Sequence, residues 1–182
     1  MIDIKFCCLC GSGVTFRIPD GDHLPRHICN GCGEIHYQNP KVVAGCIPHW
    51  GDQILLCKRA IQPRVGFWTV PAGFMENNET IEQAAMRETD EEARAKVTID
   101  GLYGVFNIPH ISQIYVLFRG ALVDGKFSPG PESLETALYD EADIPWDEIA
   151  FPVVTKSLRR FFADRVRGVY EPFIEQVEPF KR

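Results

Sequence analysis

The chain has 182 residues, 45% of them hydrophobic and 24% charged, with a formal net charge of −6. That length suits one ordinary domain with a small appendage; the negative balance works against a general affinity for nucleic acid but leaves phosphate substrates open, because bound cations can offset their charge. No apolar run approaches the roughly 20 residues that span a bilayer, and Met1-Ile2-Asp3-Ile4-Lys5-Phe6 lacks the basic start and apolar core of a secretion signal, so a cytoplasmic enzyme is expected.

Residues 1–38 read as a unit of their own and 39–182 as the main domain. The first segment has few periodic apolar residues, cannot bury much core and needs a staple. Four of the seven cysteines offer one: Cys7, Cys10, Cys29 and Cys32 stand as Cys-x2-Cys-x18-Cys-x2-Cys. That is the spacing of a four-thiolate zinc site, with glycines near each pair for the tight turns. Four thiolates leave no open coordination position, so such a zinc is structural, and binding it supplies folding free energy. Disulfides are not expected in a reducing compartment. Cys8 reads as a bystander, and Cys46 and Cys57 as small buried hydrophobes. Lys5, Arg17 and Arg26 are outnumbered by Asp3, Asp20, Asp22 and Glu34. With no basic footprint, a role in support or substrate contact is expected rather than RNA binding.

Asn39-Pro40 marks the boundary. Val42–Pro48 then reads as a strand, Trp50-Gly51-Asp52 as a turn and Gln53–Lys58 as the hairpin partner. Phe67–Val70 is a short strand, ended by Pro71-Ala72-Gly73. A helix is expected from Thr80 to about Lys96, with Thr80 and Gln83 in a reciprocal cap. Leu102–Asn107, Ile114–Arg119 and Ala121–Val123 read as three strands, and Thr155–Val166 as an amphipathic helix. Tyr170–Arg182 is mixed and supports no assignment. Strands and helices without regular alternation imply an α+β fold.

On the first helix Glu88, Glu91 and Glu92 stand at i, i+3 and i+4 and share one face. Left alone, such clustering is repulsive; a hard cation between the carboxylates makes it favourable. Magnesium keeps several waters and can bridge carboxylates to diphosphate oxygens, orienting the phosphorus and activating a water. The alternative is a solvated helix face laced with Arg87–Glu91, Asp90–Arg94 and Glu92–Lys96 ion pairs. The lead-in favours the metal: a strand, Pro71-Ala72-Gly73 and a short loop place Glu79 just before the cap.

The run Gly73-x5-Glu79-x7-Arg87-Glu88-Thr89-x-Glu91-Glu92 resembles the Nudix box of hydrolases that cleave nucleoside diphosphates linked to another moiety. It departs at Thr89, where an aliphatic residue is usual, and at Arg94, where glycine is customary. The resemblance implies an α/β/α sandwich with a mixed sheet behind a zinc ribbon. It implies Mg2+ or Mn2+ at Glu88, Glu91 and Glu92, with a backbone carbonyl of Ala72 or Gly73 as a further ligand. Arg87 would orient a glutamate, Glu79 would tie the loop to the helix, and the protein would be a homodimer.

Cys29-x2-Cys32-Gly-Glu-Ile-His-Tyr37-Gln-Asn39-Pro40-Lys41, Leu55-Leu56-Cys57-Lys58-Arg59-x2-Gln62-Pro63, Gly66–Gly73 and Pro129–Glu135 extend the resemblance to zinc-ribbon Nudix proteins that include the plant FAD pyrophosphatases. That likeness implies FAD, cleaved to FMN and AMP, and ADP-ribose as substrates. NADH pyrophosphatases carry a Ser-Gln-Pro element, for which only Ile111-Ser112-Gln113-Ile114 stands here, so NAD(H) is the weaker expectation. A nucleotide-sensing or RNA-binding module without turnover is the alternative of another class, opposed by the intact box glutamates and the acidic balance. Glu132 and Glu135, read as lying in a Pro/Gly loop after the last strand, are candidates for the base that takes a proton from water. Phe67, Trp68, Phe74, Tyr103 and Phe106 are candidate ring clamps, each also at home in a core, and Arg59 and Arg64 are candidate phosphate contacts.

Overall fold

The computed structural model describes residues 3–179, and the chain divides between Pro40 and Lys41 into two compact units. The first holds a three-stranded antiparallel sheet, β1 (Val14–Arg17), β2 (Arg26–Cys29) and β3 (Ile35–His36), in the order β1-β2-β3. Its buried apolar side chains include Cys7, Ile28 and Cys29, a core whose thiols are also the candidate ligands.

The second unit is built on a mixed sheet. Its strands are β4 (Lys41–Trp50), β5 (Gln53–Arg59), β6 (Trp68–Thr69), β7 (Ala72–Phe74), β8 (Val97–Ile108), β9 (Gln113–Leu122), β10 (Ser133–Tyr139) and β11 (Phe173–Gln176). The order is β10-β5-β4-β9-β8-β11, with β6 paired to β5 and β7 to β4. β4–β9 and β8–β11 are parallel and the other pairs antiparallel. Helix α1 (Ile81–Ala93) covers one face and α2 (Pro152–Arg167) the other.

Strand alternation sorts the two faces. Ala44 on β4 and Val116 and Phe118 on β9 pack against Ala84 and Ala85 of α1. Ile47 and Leu117, of opposite parity, pack with Tyr103 and Phe106 against Val153, Leu158, Phe161 and Phe162 of α2. Full burial of such a Leu or Phe contributes about 1.5–3 kcal/mol. Asp164, buried on α2, accepts from the Tyr103 hydroxyl at 3.0 Å and pairs with Arg160 and Arg167. These partners are what make a buried carboxylate tolerable.

Three sequence assignments are corrected. The strands expected at 114–119 and 121–123 are one, β9, because Gly120 does not break it: a Cβ there would lie 2.8 Å from Cys46 Sγ, so glycine serves close packing. Residues 133–139, read partly as loop, form β10 on the edge beside β5, so Glu135 is a strand residue. The unassigned C-terminal stretch contains β11, which takes its hydrogen bonds from β8 rather than from a hairpin of its own.

Thr80 caps α1 as expected: its hydroxyl accepts from the Gln83 amide at 3.2 Å and Gln83 Oε1 accepts from the Thr80 amide at 2.7 Å. The helix ends before the expected Lys96, where Arg94 turns left-handed at φ 47°. Among the described residues no helix is long and apolar enough to cross a membrane.

Candidate active site and thiolate cluster

β7 runs beside α1 so closely that a Cβ at Gly73 would sit 2.3 Å from Glu88 Oε2 and would have to displace that carboxylate. The strand edge, the loop and the helix are then laced by one guanidinium. Arg87 Nε donates to Glu79 Oε2 at 3.0 Å and Nη2 to Glu79 Oε1 at 2.8 Å. Nη1 reaches Glu88 at 2.7 Å and Glu91 at 2.9 Å, and Nη2 also reaches Phe74 O at 3.1 Å. Glu79 Oε1 accepts from the Glu76 amide at 2.6 Å as well. Hydrogen bonds from Arg87, then the Glu76 amide, hold the Glu79 carboxyl down to about 2.

Glu88 and Glu92 are not surface acids; they are 8% and 6% exposed, whereas the Glu91 side chain is 54% exposed. Burial first, then the charge of Glu88, pushes Glu92 up to about 8. Burial likewise raises Glu88, against the pull of Arg87. Two neighbouring desolvated carboxylates, of which Arg87 pairs with Glu88 alone, are a costly arrangement unless a cation joins them. The donor set, all oxygen, fits a hard divalent ion. Of the three ion pairs of the solvated-face alternative, Arg87–Glu91 forms; Glu92 is buried, and the Arg94 amide caps Asp90 O.

These acids open into a cavity of about 1030 Å³. Ala72, Gly73, Phe74, Arg59 and Glu132 line it; Arg64, Phe67 and Glu135 do not. Arg64 lies over the Phe67 ring at 5.0 Å. Glu135 faces Lys58 across the β10–β5 pair, 3.8 Å from its Nζ. Trp68, Tyr103 and Phe106 are core. Sequence reasoning missed Tyr115, His110, Phe151 and the tail residues Val177 and Glu178, all in the cavity wall. For Tyr115 the signal was strand parity, since it shares a face of β9 with Leu117; the tail carried none.

Thr89 is fully buried, and its hydroxyl donates to Ala85 O at 2.7 Å. The helix backbone thus satisfies the hydroxyl, and Thr89 packs where an aliphatic residue would.

In the first unit the Cys7, Cys10, Cys29 and Cys32 sulfurs all lie within 4.8 Å of one another. Cys7–Cys32 is 3.8 Å and Cys10–Cys29 is 3.4 Å; zinc–sulfur bonds of about 2.3 Å put tetrahedral sulfurs about 3.8 Å apart. The Leu9, Gly31 and Cys32 amides point at Cys7 and Cys29 Sγ at 3.3–3.4 Å, which favours thiolate. Hydrogen bonds from Ser12 lead those holding Cys10 down to about 6. This donor set fits a closed zinc site. Cys8 stays outside it, 3.9 Å from His36 Nδ1.

The family described as NUDIX domain matches residues 39–163. The chain belongs to the Nudix hydrolases. A zinc-ribbon family described as Nudix N-terminal matches residues 5–38. The crystal structure of a NUDIX hydrolase from Nitrosomonas europaea is 55% identical to this Nudix hydrolase, covering 96% of this chain and 100% of that one with a TM-score of 0.91. The ADP-ribose pyrophosphatase of Methanocaldococcus jannaschii is 30% identical over 115 residues, 60% of this chain and 67% of that protein. The NAD-capped RNA hydrolase NudC of Pseudomonas aeruginosa is 27% identical over 172 residues, 93% of this chain and 59% of that protein. The chain therefore spans between half and two thirds of the length of these curated relatives.

Proposed function

We propose that this Nudix hydrolase cleaves the diphosphate of a small adenosine-containing molecule, first of all ADP-ribose, with water yielding AMP and ribose 5-phosphate. The observation that carries the reading is the convergence of Glu88, Glu91, Glu92, Glu132 and Arg59 on one cavity large enough for a nucleotide. Mg2+ or Mn2+ held by Glu88, Glu91 and Glu92, with a carbonyl of Ala72 or Gly73, would supply charge neutralisation and a more acidic water.

The chain's own residues supply the rest. Arg87 and Glu79 fix the carboxylates; Arg59 faces the diphosphate; Glu132, in the cavity wall, takes the water's proton. Glu135 is withdrawn as base on its position beside Lys58. Tyr115 and Phe151 offer ring walls. Zinc on the four cysteines holds the ribbon, and the homodimer expected from family likeness remains part of the proposal.

Flavin loses its place at the head of the reading: the relatives above are named for ADP-ribose and for NAD-capped RNA, and none for FAD. A second reading, hydrolysis of the NAD diphosphate, draws on the likeness to NudC proteins, which extends across the ribbon as well. The net charge of −6 favours free dinucleotide over capped RNA.

Product chromatography decides between them. The protein is given Mg2+ or Mn2+ with ADP-ribose, NAD, NADH, FAD or a dinucleoside polyphosphate, side by side. AMP formed fastest from ADP-ribose supports the proposal, and AMP formed fastest from NAD or NADH installs the second reading. Release of no AMP from any of them overturns both.

A further inference from the structure

The loop before β10 touches the last turn of α1 at Gly130. The Gly130 amide donates to Glu92 O at 2.9 Å and the Ser128 amide to Ala93 O at 2.9 Å. These are carbonyls that a helix C-terminus leaves without intrahelical partners, so the loop completes the helix. The approach is closer than any side chain allows: a Cβ on Gly130 would lie 1.7 Å from Glu91 O and 2.7 Å from its carbonyl carbon.

Two residues on, the same loop is held from its other side. The Ala60 amide, just past β5, donates to Glu132 O at 2.8 Å, and the Ser133 amide turns back to Gly130 O at 3.1 Å. Pro129 and Pro131 flank Gly130 and fix φ on both sides of it. Glu132 is thereby clamped between the end of β5 and the backbone of Glu91 and Glu92, the residues whose side chains carry the metal-binding face. Its charge is felt at both Glu88 and Glu92.

We propose that Gly130 is a positioning residue: by letting the loop backbone seat on the Glu91 carbonyl, it sets the Glu132 carboxylate at its working distance from the α1 carboxylates. The proposal rests on the reading of Glu132 as proton acceptor. A side chain at position 130 must push the loop off the helix, and Glu132 moves with it.

The test is steady-state kinetics on whichever panel substrate is cleaved fastest, for Gly130→Ala, Glu132→Gln, the double variant and Pro129→Gly. Gly130→Ala should lower kcat about tenfold or more, as expected when a catalytic group is displaced by an ångström or so, with KM within about threefold. In the Glu132→Gln background the same change should cost nothing further, because the group it misplaces is already gone. Pro129→Gly loosens the loop without adding an atom; it should show a smaller loss with the same dependence on Glu132, and it carries the cycle if Gly130→Ala does not fold. Equal factors in both backgrounds, or an unchanged kcat in Gly130→Ala, would overturn the positioning role. A Glu132→Gln variant with normal kcat would instead remove the reading of Glu132 on which the proposal stands.

Discussion

Arg87 and Glu79 meet fork to fork, with hydrogen bonds of 3.0 and 2.8 Å across eight residues of chain. The same guanidinium spends its remaining donors on Glu88, Glu91 and the Phe74 carbonyl, so one planar group fixes the loop, the strand edge and the helix together.

Arg87→Lys should therefore not be conservative. An ammonium cannot reproduce a planar fork, and the carboxylates it leaves would be partly unpaired, at about 1–3 kcal/mol. A kcat lower by about tenfold to a hundredfold is expected, together with a lower Tm. Retention of both would mean that the fork geometry is dispensable.

The same pair has a pH signature. The Glu79 carboxyl is held down to about 2, from an ordinary 4.5, first by Arg87. Its stabilisation is therefore fully present above about pH 4.5 and fades as pH falls toward 2. The stability difference between the parent and Glu79→Gln should shrink over that window and stay constant above it. Denaturant titrations at several pH values measure it, and a difference that does not vary with pH would contradict the pairing.

Glu92→Gln separates function from folding. It removes a buried carboxylate whose charged form burial and Glu88 disfavour and which forms no ion pair among the described residues, so in divalent-free buffer the variant should melt at the same temperature or higher. Turnover should fall by about a hundredfold or more. Near-normal activity would defeat the metal assignment.

Arg94 sits at φ 47°, a left-handed conformation that glycine adopts without strain. Arg94→Gly should stabilise by about 1 kcal/mol, read as a rise in Tm. A lower Tm would show that the arginine side chain outweighs the strain of its backbone.

Cys29→Ser should take zinc from about one ion per chain to near none and destabilise the ribbon. Elemental analysis of purified protein gives the answer; unchanged zinc would mean a different ligand set.

What the sequence made legible follows from range. The capping pair Thr80–Gln83 and the three glutamates of α1 are local patterns, and spacing alone placed them on one face. The thiolates were legible because zinc coordination imposes its own spacing on the chain. Glu132 and Glu135 looked equivalent, because their difference depends on β10 pairing with β5, which no local pattern announces. The burial of Glu88 and Glu92 was hidden for a similar reason: β7 passes beside α1, with Gly73 against Glu88 and the Ala72 backbone against Glu92. Val177 reaches the cavity wall through a parallel pairing with β8 in which its amide donates to Asn107 O at 2.9 Å, a contact across most of the domain.

The helix that carries the box glutamates is poorly made by electrostatic standards. Its last turn holds Glu91 and Glu92 and no basic residue, so the negative end of the macrodipole opposes ionisation of these side chains, by about 0.3–1 kcal/mol for each carboxylate that is charged. A cation bound at these glutamates would relieve that opposition. Resistance to melting should climb with the logarithm of free divalent ion concentration, which makes the molecule's own unfolding a gauge of its ion affinity without any substrate present.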